Sequence, residues 1–185
     1  MFIKTNMDQK LVSFEKIVLF ARNEARFSSS PYHGERHWLR VALAGLKISE
    51  KVRDADPVVA VYFGLLHDVC RVSEGFDIKH GPRASSLIGK LAKGGGLMLT
   101  PDQLHLLRRA CATHTHGITS DDPTIGVCWD ADRLDLRRFG YSIDVNRMST
   151  AGLDCSVIAA HVDRLENEAS CSDLLRQAIG MQNSK

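Results

Sequence analysis

The chain has 185 residues, of which 44% are hydrophobic and 25% charged, and this is enough for one compact domain with a substantial core. Its net charge of +2 is too small to indicate a nucleic acid or an anionic membrane surface as a partner. The sequence lacks a run of about eighteen apolar residues that would predict a transmembrane helix and an apolar signal-peptide core near its start. Its five cysteines are scattered without a Cys-x-x-Cys pair, so we expect a cytoplasmic protein.

Helical periodicity dominates the chain, and no stretch alternates regularly enough to predict a strand. The pairs Asp56-Pro57, Thr100-Pro101 and Asp122-Pro123 each place a capping residue before a proline that can open a helix. The triplet Gly94–Gly96 predicts a flexible connection, since it lacks the preceding strand and the following Lys-Ser/Thr of a phosphate-binding loop. We therefore predict an all-α domain with helices over about 11–27, 35–52, 57–72, 82–91, 101–114 and 123–136, and two shorter ones within 155–177.

The predicted helix over 57–72 is apolar almost all the way round, yet it carries the doublet His67-Asp68. An unpaired buried charge costs roughly several kcal/mol, so buried charges are normally paired or coordinate a metal. Adjacent helical residues point about 100° apart, so a cation between the two side chains could contact both. A hydrogen bond between Asp68 and a histidine, ordering the packing of the helices, would explain the doublet equally well.

Further histidines and aspartates lie before and after the doublet: His33, His37, His114, His116, Asp130, Asp132 and Asp135. In chain order the set resembles the HD-domain metal-dependent phosphohydrolases, whose pattern His … His-Asp … Asp is spread over successive helices. The resemblance covers about residues 30–140. It implies an HD-type helical bundle spanning the chain, with the helices at 155–180 as an accessory part. It also implies that a divalent metal is bound by His37, His67, Asp68 and Asp132.

The aspartates near residue 130 cannot all face one point. Asp130 and Asp132 are two residues apart, so on a helix they point in different directions. The apolar stripe of this helix includes Asp132, which independently favours Asp132 as the inward-facing carboxylate. We expect Asp130 to be solvated or to lie beside the ligands. Asp135 follows Asp132 by three residues, and it could orient a ligand or bind substrate.

Some members of the HD family hold two metals and carry additional histidines. His80 and His114 loosely match those positions, which leaves a second metal open. Further candidates for a second metal or for substrate contact are His33, His116, Asp130 and Asp135. Imidazole and carboxylate ligands suit Mn, Fe, Co, Ni or Zn better than Mg, although Mg also binds carboxylates.

The resemblance implies that Asp68 holds the metal and orients the attacking water. Arg71 and Glu74, which follow the doublet, are further candidates for catalysis. Arg71 follows Asp68 by about one helical turn, and its guanidinium could bind phosphate oxygens bidentately. Glu74 lies in the polar loop beyond, where a carboxylate could act as general acid. Simple solvation of the surface is the alternative for both side chains.

These residues predict a metal-dependent phosphohydrolase that acts on a nucleotide or another small phosphate ester. Two alternatives remain open. One is an HD-fold di-iron oxygenase, for which the number of available ligands is sufficient. The other is a regulatory module that binds a metal or a nucleotide without turnover. The sequence does not predict the identity of the substrate or the oligomeric state.

Overall fold

The structure is a computed structural model that describes residues 2–150 and 152–182. In this part of the chain the regular elements are all helices, and no strand is present, which confirms the all-α prediction. None of the described helices combines the length and the apolar character that a membrane span needs. The α-helices are α1 (Phe2–Glu24), α2 (Glu35–Ser49), α3 (Pro57–Leu66), α4 (His80–Lys93), α5 (Pro101–Thr113), α6 (Pro123–Leu134), α7 (Cys155–Leu165) and α8 (Cys171–Gln182), with short 3₁₀ helices at Asp135–Phe139 and Val145–Arg147.

The predicted helix starts at the three proline pairs are confirmed. Asp56 accepts hydrogen bonds from two backbone amides in the first turn of α3, and Asp122 does the same for α6. Thr100 and Gln103 form a reciprocal capping box at the start of α5. Each cap satisfies amide groups that have no partner within the helix, so the local sequence fixes where these helices begin.

Helix α3 forms the centre of the fold, and all ten of its residues are buried. It packs against α2, α5, α6 and α8. The approach of α2 is especially close, because Gly64 has no side chain: a Cβ there would lie 2.5 Å from the backbone nitrogen of Ala42. The side chain of Phe14 from α1 meets Tyr62 edge-on at 4.9 Å and closes the other side of α3.

The prediction that this helix continues to residue 72 is wrong, because α3 ends at Leu66. The ring nitrogen Nδ1 of His67 lies 3.0 Å from the carbonyl of Phe63 and 3.2 Å from that of Gly64, within the last turn. Beyond it the backbone turns, and the amide of Arg71 donates to the carbonyl of Asp68. The doublet therefore lies at the exit of the central helix, where the chain leaves helical geometry.

Candidate metal centre

Four predicted ligands converge at one place between α2, the end of α3 and α6. His37 Nε2 lies 3.1 Å from His67 Nε2. Asp132 Oδ1 lies 3.5 Å from His37 Nε2 and 3.6 Å from His67 Nε2. Asp68 Oδ2 lies 3.7 Å from the first of these nitrogens and 3.8 Å from the second. We call these four residues the first site.

The hydrogen bonds of the two histidines determine what their inner nitrogens can do. His67 Nδ1 faces two carbonyl oxygens, and His37 Nδ1 lies 2.7 Å from Asp135 Oδ2. All three partners are acceptors, so each Nδ1 carries a proton, and each ring directs its Nε2 inward, where it can bind a metal ion once that nitrogen is deprotonated. The two Nε2 atoms and the two carboxylates thus face one another. A cation between them would balance the negative charge of the two carboxylates.

The spacing of the first site also fits one metal ion. Ligand atoms held about 2.1 Å from a transition metal lie about 3.0 Å apart along an octahedral edge and about 3.4 Å apart along a tetrahedral edge. The five separations that involve His37 or His67, at 3.1–3.8 Å, are close to these values. Of the four residues, His37, His67 and Asp132 have ligand atoms that all lie within 4.8 Å of one another, so small shifts would bring these three into coordination.

A second group of candidate ligands lies on the other side of Asp68. His80 Nε2 is 3.0 Å from Asp68 Oδ1 and 2.7 Å from His114 Nε2. The Nδ1 atoms of both rings face backbone carbonyls, those of Asp77 and Cys111, so both Nε2 atoms again point inward. Asp68, His80 and His114 form the second site. Asp68 turns one oxygen toward each site, which is the arrangement of a carboxylate that bridges two metal ions.

The second site depends on the close packing of α4 against α5. His80 is the first residue of α4, and His114 follows the last residue of α5. Gly81 lets these ends approach, because a Cβ there would lie 2.3 Å from the carbonyl oxygen of Cys111 and 3.1 Å from the His114 ring. The sequence suggested both histidines only through the resemblance.

Burial and charge shift the pKa values of the ligands in different directions. Burial lowers the pKa of His67, but Asp68 and Asp132 raise it above its usual value, so metal binding would displace a proton there. Burial by itself would raise the pKa of Asp68, but the neighbouring histidines, His67 above all, hold it well below its usual value. Burial also raises the pKa of Asp132, but His67 lowers it by more, so the net shift is downward. Burial lowers the pKa of His114 to about 4. At neutral pH these carboxylates are ionised and His114 is neutral, as ligands must be.

His33, Arg71 and Glu74 surround Asp68 on the side away from α6. His33 Nδ1 lies 3.0 Å from Asp68 Oδ2, and its Nε2 lies 3.2 Å from the Glu74 carbonyl. Arg71 Nε is 3.4 Å from the same Asp68 oxygen. The Nε and Nη1 atoms of Arg71 are buried without a hydrogen-bond partner among the described residues. The Glu74 carboxylate is 41% exposed and lies 3.9 Å from His33.

Asp135 contacts His37 of the first site, which is the contact expected if it orients a ligand. It is buried and accepts from His37, while its other oxygen pairs with Arg40. Arg40 in turn pairs with Asp163, at 2.8 Å, and with Glu166, both from the end of α7. This ion-pair network was missed, because nothing in the spacing of the α7 carboxylates relates them to a histidine about 130 residues earlier.

Two candidate residues do not belong to either site. Asp130 is fully buried, which corrects the expectation of a solvated carboxylate or one beside the ligands. It accepts hydrogen bonds from the amides of Ser149 and Thr150, at 2.9 and 2.7 Å, and from the Thr150 hydroxyl. Its role is to anchor the segment after the second 3₁₀ helix. His116 lies in the turn after α5, where it is exposed and contacts Thr115.

Both sites open into one pocket of about 590 Å³. Asp68, His80, His114 and Asp132 lie at its floor. The other lining residues include charged side chains and a group of apolar side chains at the mouth: Arg71, Glu74, Asp77, Arg133, Arg138 and Arg147, and Phe76, Ile78, Leu136, Phe139 and Tyr141. Helical periodicity did not identify the lining residues between 136 and 147, because this stretch consists of two short 3₁₀ helices and the segment that joins them.

The comparisons with known proteins add nothing to this geometry. No family model matches the chain, and neither the curated proteins nor the solved structures contain a significant match. What can be concluded about the chain therefore comes from its own side chains. It is an all-α protein with two adjoining groups of histidine and aspartate that could bind metal ions.

Proposed function

We propose that the protein is a metal-dependent phosphohydrolase with an HD-type helical bundle, acting on a nucleotide or another small phosphate ester. One observation carries the proposal: two groups of histidine and aspartate meet at Asp68, and they adjoin a pocket lined by Arg71, whose buried Nη1 has no hydrogen-bond partner among the described residues. The order of the ligands along the chain, with His37 first, then His67-Asp68, then Asp132, supports the same family.

The first site would hold one divalent ion through His37, His67, Asp68 and Asp132, and the second would hold another through Asp68, His80 and His114. Such an ion lowers the pKa of coordinated water and offsets negative charge on a phosphoryl group. The mixture of imidazole and carboxylate ligands suits Mn, Fe, Co, Ni or Zn better than Mg.

Arg71 is the side chain best placed to hold the phosphate. Its buried Nε and Nη1 make no hydrogen bond among the described residues, and an unsatisfied buried donor costs about 1–3 kcal/mol. A phosphate oxygen in the pocket would satisfy Nη1 with a charge-assisted hydrogen bond. Nε lies 3.4 Å from Asp68 Oδ2, so Asp68 holds that edge of the guanidinium and leaves Nη1 for the ligand.

Glu74 is the candidate for proton transfer to the leaving oxygen. Its side chain lines the pocket and is partly exposed, so it can exchange protons with solvent. His33 lies between Glu74 and Asp68, with one ring nitrogen toward each residue. It therefore holds the loop of Glu74 against the metal centre.

The test is a screen of nucleotides and simple phosphate esters with purified protein loaded with Mn, Co, Ni, Zn or Fe, read out as released phosphate. We expect metal-dependent release by the parent protein and none by Asp68→Asn, which removes one charge from both sites. Asp121→Asn is the matched control, because Asp121 is exposed and lies outside the pocket. Release by metal-free Asp68→Asn at the parental rate would contradict the proposal.

The same preparation distinguishes the alternatives. Two equivalents of iron, a redox-sensitive optical band and uptake of dioxygen without phosphate release would indicate a di-iron oxygenase. Tight binding of a nucleotide without any turnover, with every metal tried, would indicate a regulatory module.

A further inference from the structure

The pocket above the metal centre is far larger than a phosphate group, and its mouth differs chemically from its floor. The floor consists of ionisable ligands, whereas five large apolar side chains line the mouth: Phe76, Ile78, Leu136, Phe139 and Tyr141. We call these five residues the rim. Phe76 is 90% exposed and Tyr141 is 64% exposed. Single exposed apolar residues are ordinary, but a group of them around one pocket marks a ligand-binding surface.

The rim comes from two segments that are far apart in the chain and line the same pocket. Phe76 and Ile78 lie in the loop between α3 and α4, and this loop links Asp68 to His80. Phe139 ends the first 3₁₀ helix and Tyr141 follows it. A flat ring entering the pocket would thus meet aromatic side chains from both segments.

The ring of Phe139, in the second of these segments, is held in place by its neighbours. Its ring stacks on Tyr32 with a centroid distance of 5.2 Å and an angle of 13°. The guanidinium of Arg138 lies 4.4 Å from the centre of the Phe139 ring, and its Nε donates to the Tyr32 carbonyl at 2.6 Å. Cation–π and stacking contacts of this kind hold an aromatic side chain in one orientation.

Phe139 is connected to the metal centre through His33. The ring of His33 lies 5.7 Å from that of Phe139 and also contacts Asp68, the residue common to both sites. Arg71 and Phe139 line the same pocket, so Phe139 borders the space left for the rest of a ligand whose phosphate group meets Arg71. The alcohol part of a phosphate ester would then occupy the part of the pocket that the rim lines.

We infer that the rim is a subsite for a planar aromatic or heteroaromatic ring on the alcohol part of the substrate. A sugar phosphate or polyol phosphate would leave the rim unused, whereas a ring would stack on it and cover exposed apolar surface. This inference rests on the proposed phosphohydrolase function. It names the feature that distinguishes the substrate from other phosphate esters.

The experiment compares a phosphate ester that lacks a ring base with two that carry one. The metal-loaded parent protein is given ribose 5-phosphate or the corresponding nucleoside 5′-monophosphates, one purine and one pyrimidine. Initial rates give kcat/KM, and calorimetry gives the affinities. We expect the better nucleotide to exceed ribose 5-phosphate by about tenfold or more, the range that stacking of one base provides.

Phe76→Ala is the diagnostic variant, because a side chain that is 90% exposed contributes little to folding. It should reduce the ratio of nucleotide to ribose 5-phosphate by about fivefold or more. Val157→Ala is the matched control: Val157 is also an exposed apolar residue, but it lies on α7 outside the pocket, and the ratio should stay at the parental value.

The two proposals fail in different ways. Phosphate release from both ligands at equal kcat/KM would overturn the ring subsite and leave the phosphohydrolase in place. Absence of release from every ester would contradict the phosphohydrolase. In that case calorimetry still decides the subsite, because equal affinities for ribose 5-phosphate and both nucleotides would overturn it.

Discussion

Replacing Gly64 with alanine should separate the two helices that carry the histidines of the first site. The added Cβ would lie 2.5–2.8 Å from the backbone nitrogen, Cα and Cβ of Ala42, whereas ordinary contacts are 3.4–4 Å. Helices α2 and α3 would have to move apart by about 1 Å, and overpacking of this kind costs about 1–3 kcal/mol. For a chain of this length that cost lowers Tm by about 2–12 °C.

The same displacement should weaken metal binding. His37 lies on α2 and His67 follows α3, so the helices cannot separate without pulling the two Nε2 atoms apart. Metal–ligand distances tolerate about 0.2 Å, and disturbing the support of a ligand typically lowers affinity about 10- to 100-fold. Gly45→Ala is the control at the same helix pair, since its Cβ would lie 3.1 Å from the Ala60 Cβ and needs only a small adjustment.

The measurements are thermal unfolding of the metal-free protein and titration of each variant with Mn or Zn. We expect Gly64→Ala to lose both stability and affinity and Gly45→Ala to remain near the parent in both. Parental Tm and parental affinity in Gly64→Ala would refute the reasoning, because they would show that close packing of α2 on α3 does not hold the first site together.

Substitutions at four further positions separate the roles of neighbouring residues. His114→Ala should lose one of two bound metal equivalents, whereas His116→Ala should keep both, and elemental analysis of purified protein measures this directly. Arg71→Ala should lower kcat/KM about 10- to 100-fold at unchanged metal content, with partial rescue by Arg71→Lys, which keeps the charge but loses the planar fork; an unchanged kcat/KM would remove Arg71 from the phosphate site. Asp130→Ala should lower the free energy of unfolding by about 2–5 kcal/mol in a denaturant titration, because it leaves two partly buried amides and Arg133 without their carboxylate; a loss below about 1 kcal/mol would show that the anchor is weak.

The starts of α3, α5 and α6 could be predicted from the sequence. The start of α1, which lies at Phe2 and not near residue 11, and the end of the central helix could not. Asp56, Thr100 and Asp122 act on amides two or three residues away, so the signal is local. The end of α3 depends on distant partners: Asp68 contacts His33 and His80, which come from other parts of the chain. Its apolar sequence gave no sign of where the helix would stop.

The choice between the two aspartates of α6 shows the same division. Helical periodicity favoured Asp132 as the inward carboxylate, and Asp132 Oδ1 does lie beside the two histidines of the first site. The burial of Asp130 could not be predicted, since its partners Ser149 and Thr150 are 19 and 20 residues later in a non-periodic segment. Periodicity identifies the face of a helix, but it does not identify what a loop brings to the opposite face.

Arg40 makes the histidine-bearing half of the molecule dependent on its C-terminal helices. All six ligand residues lie between α2 and α6, so a fragment ending before α7 would contain every one of them. That fragment would lack Asp163 and Glu166, leaving the Arg40 guanidinium with Asp135 alone. It would also lack α8, which covers α3. The segment that contains the ligands is therefore shorter than the segment needed to hold them in place. A minimal metal-binding fragment of this protein should keep both α7 and α8.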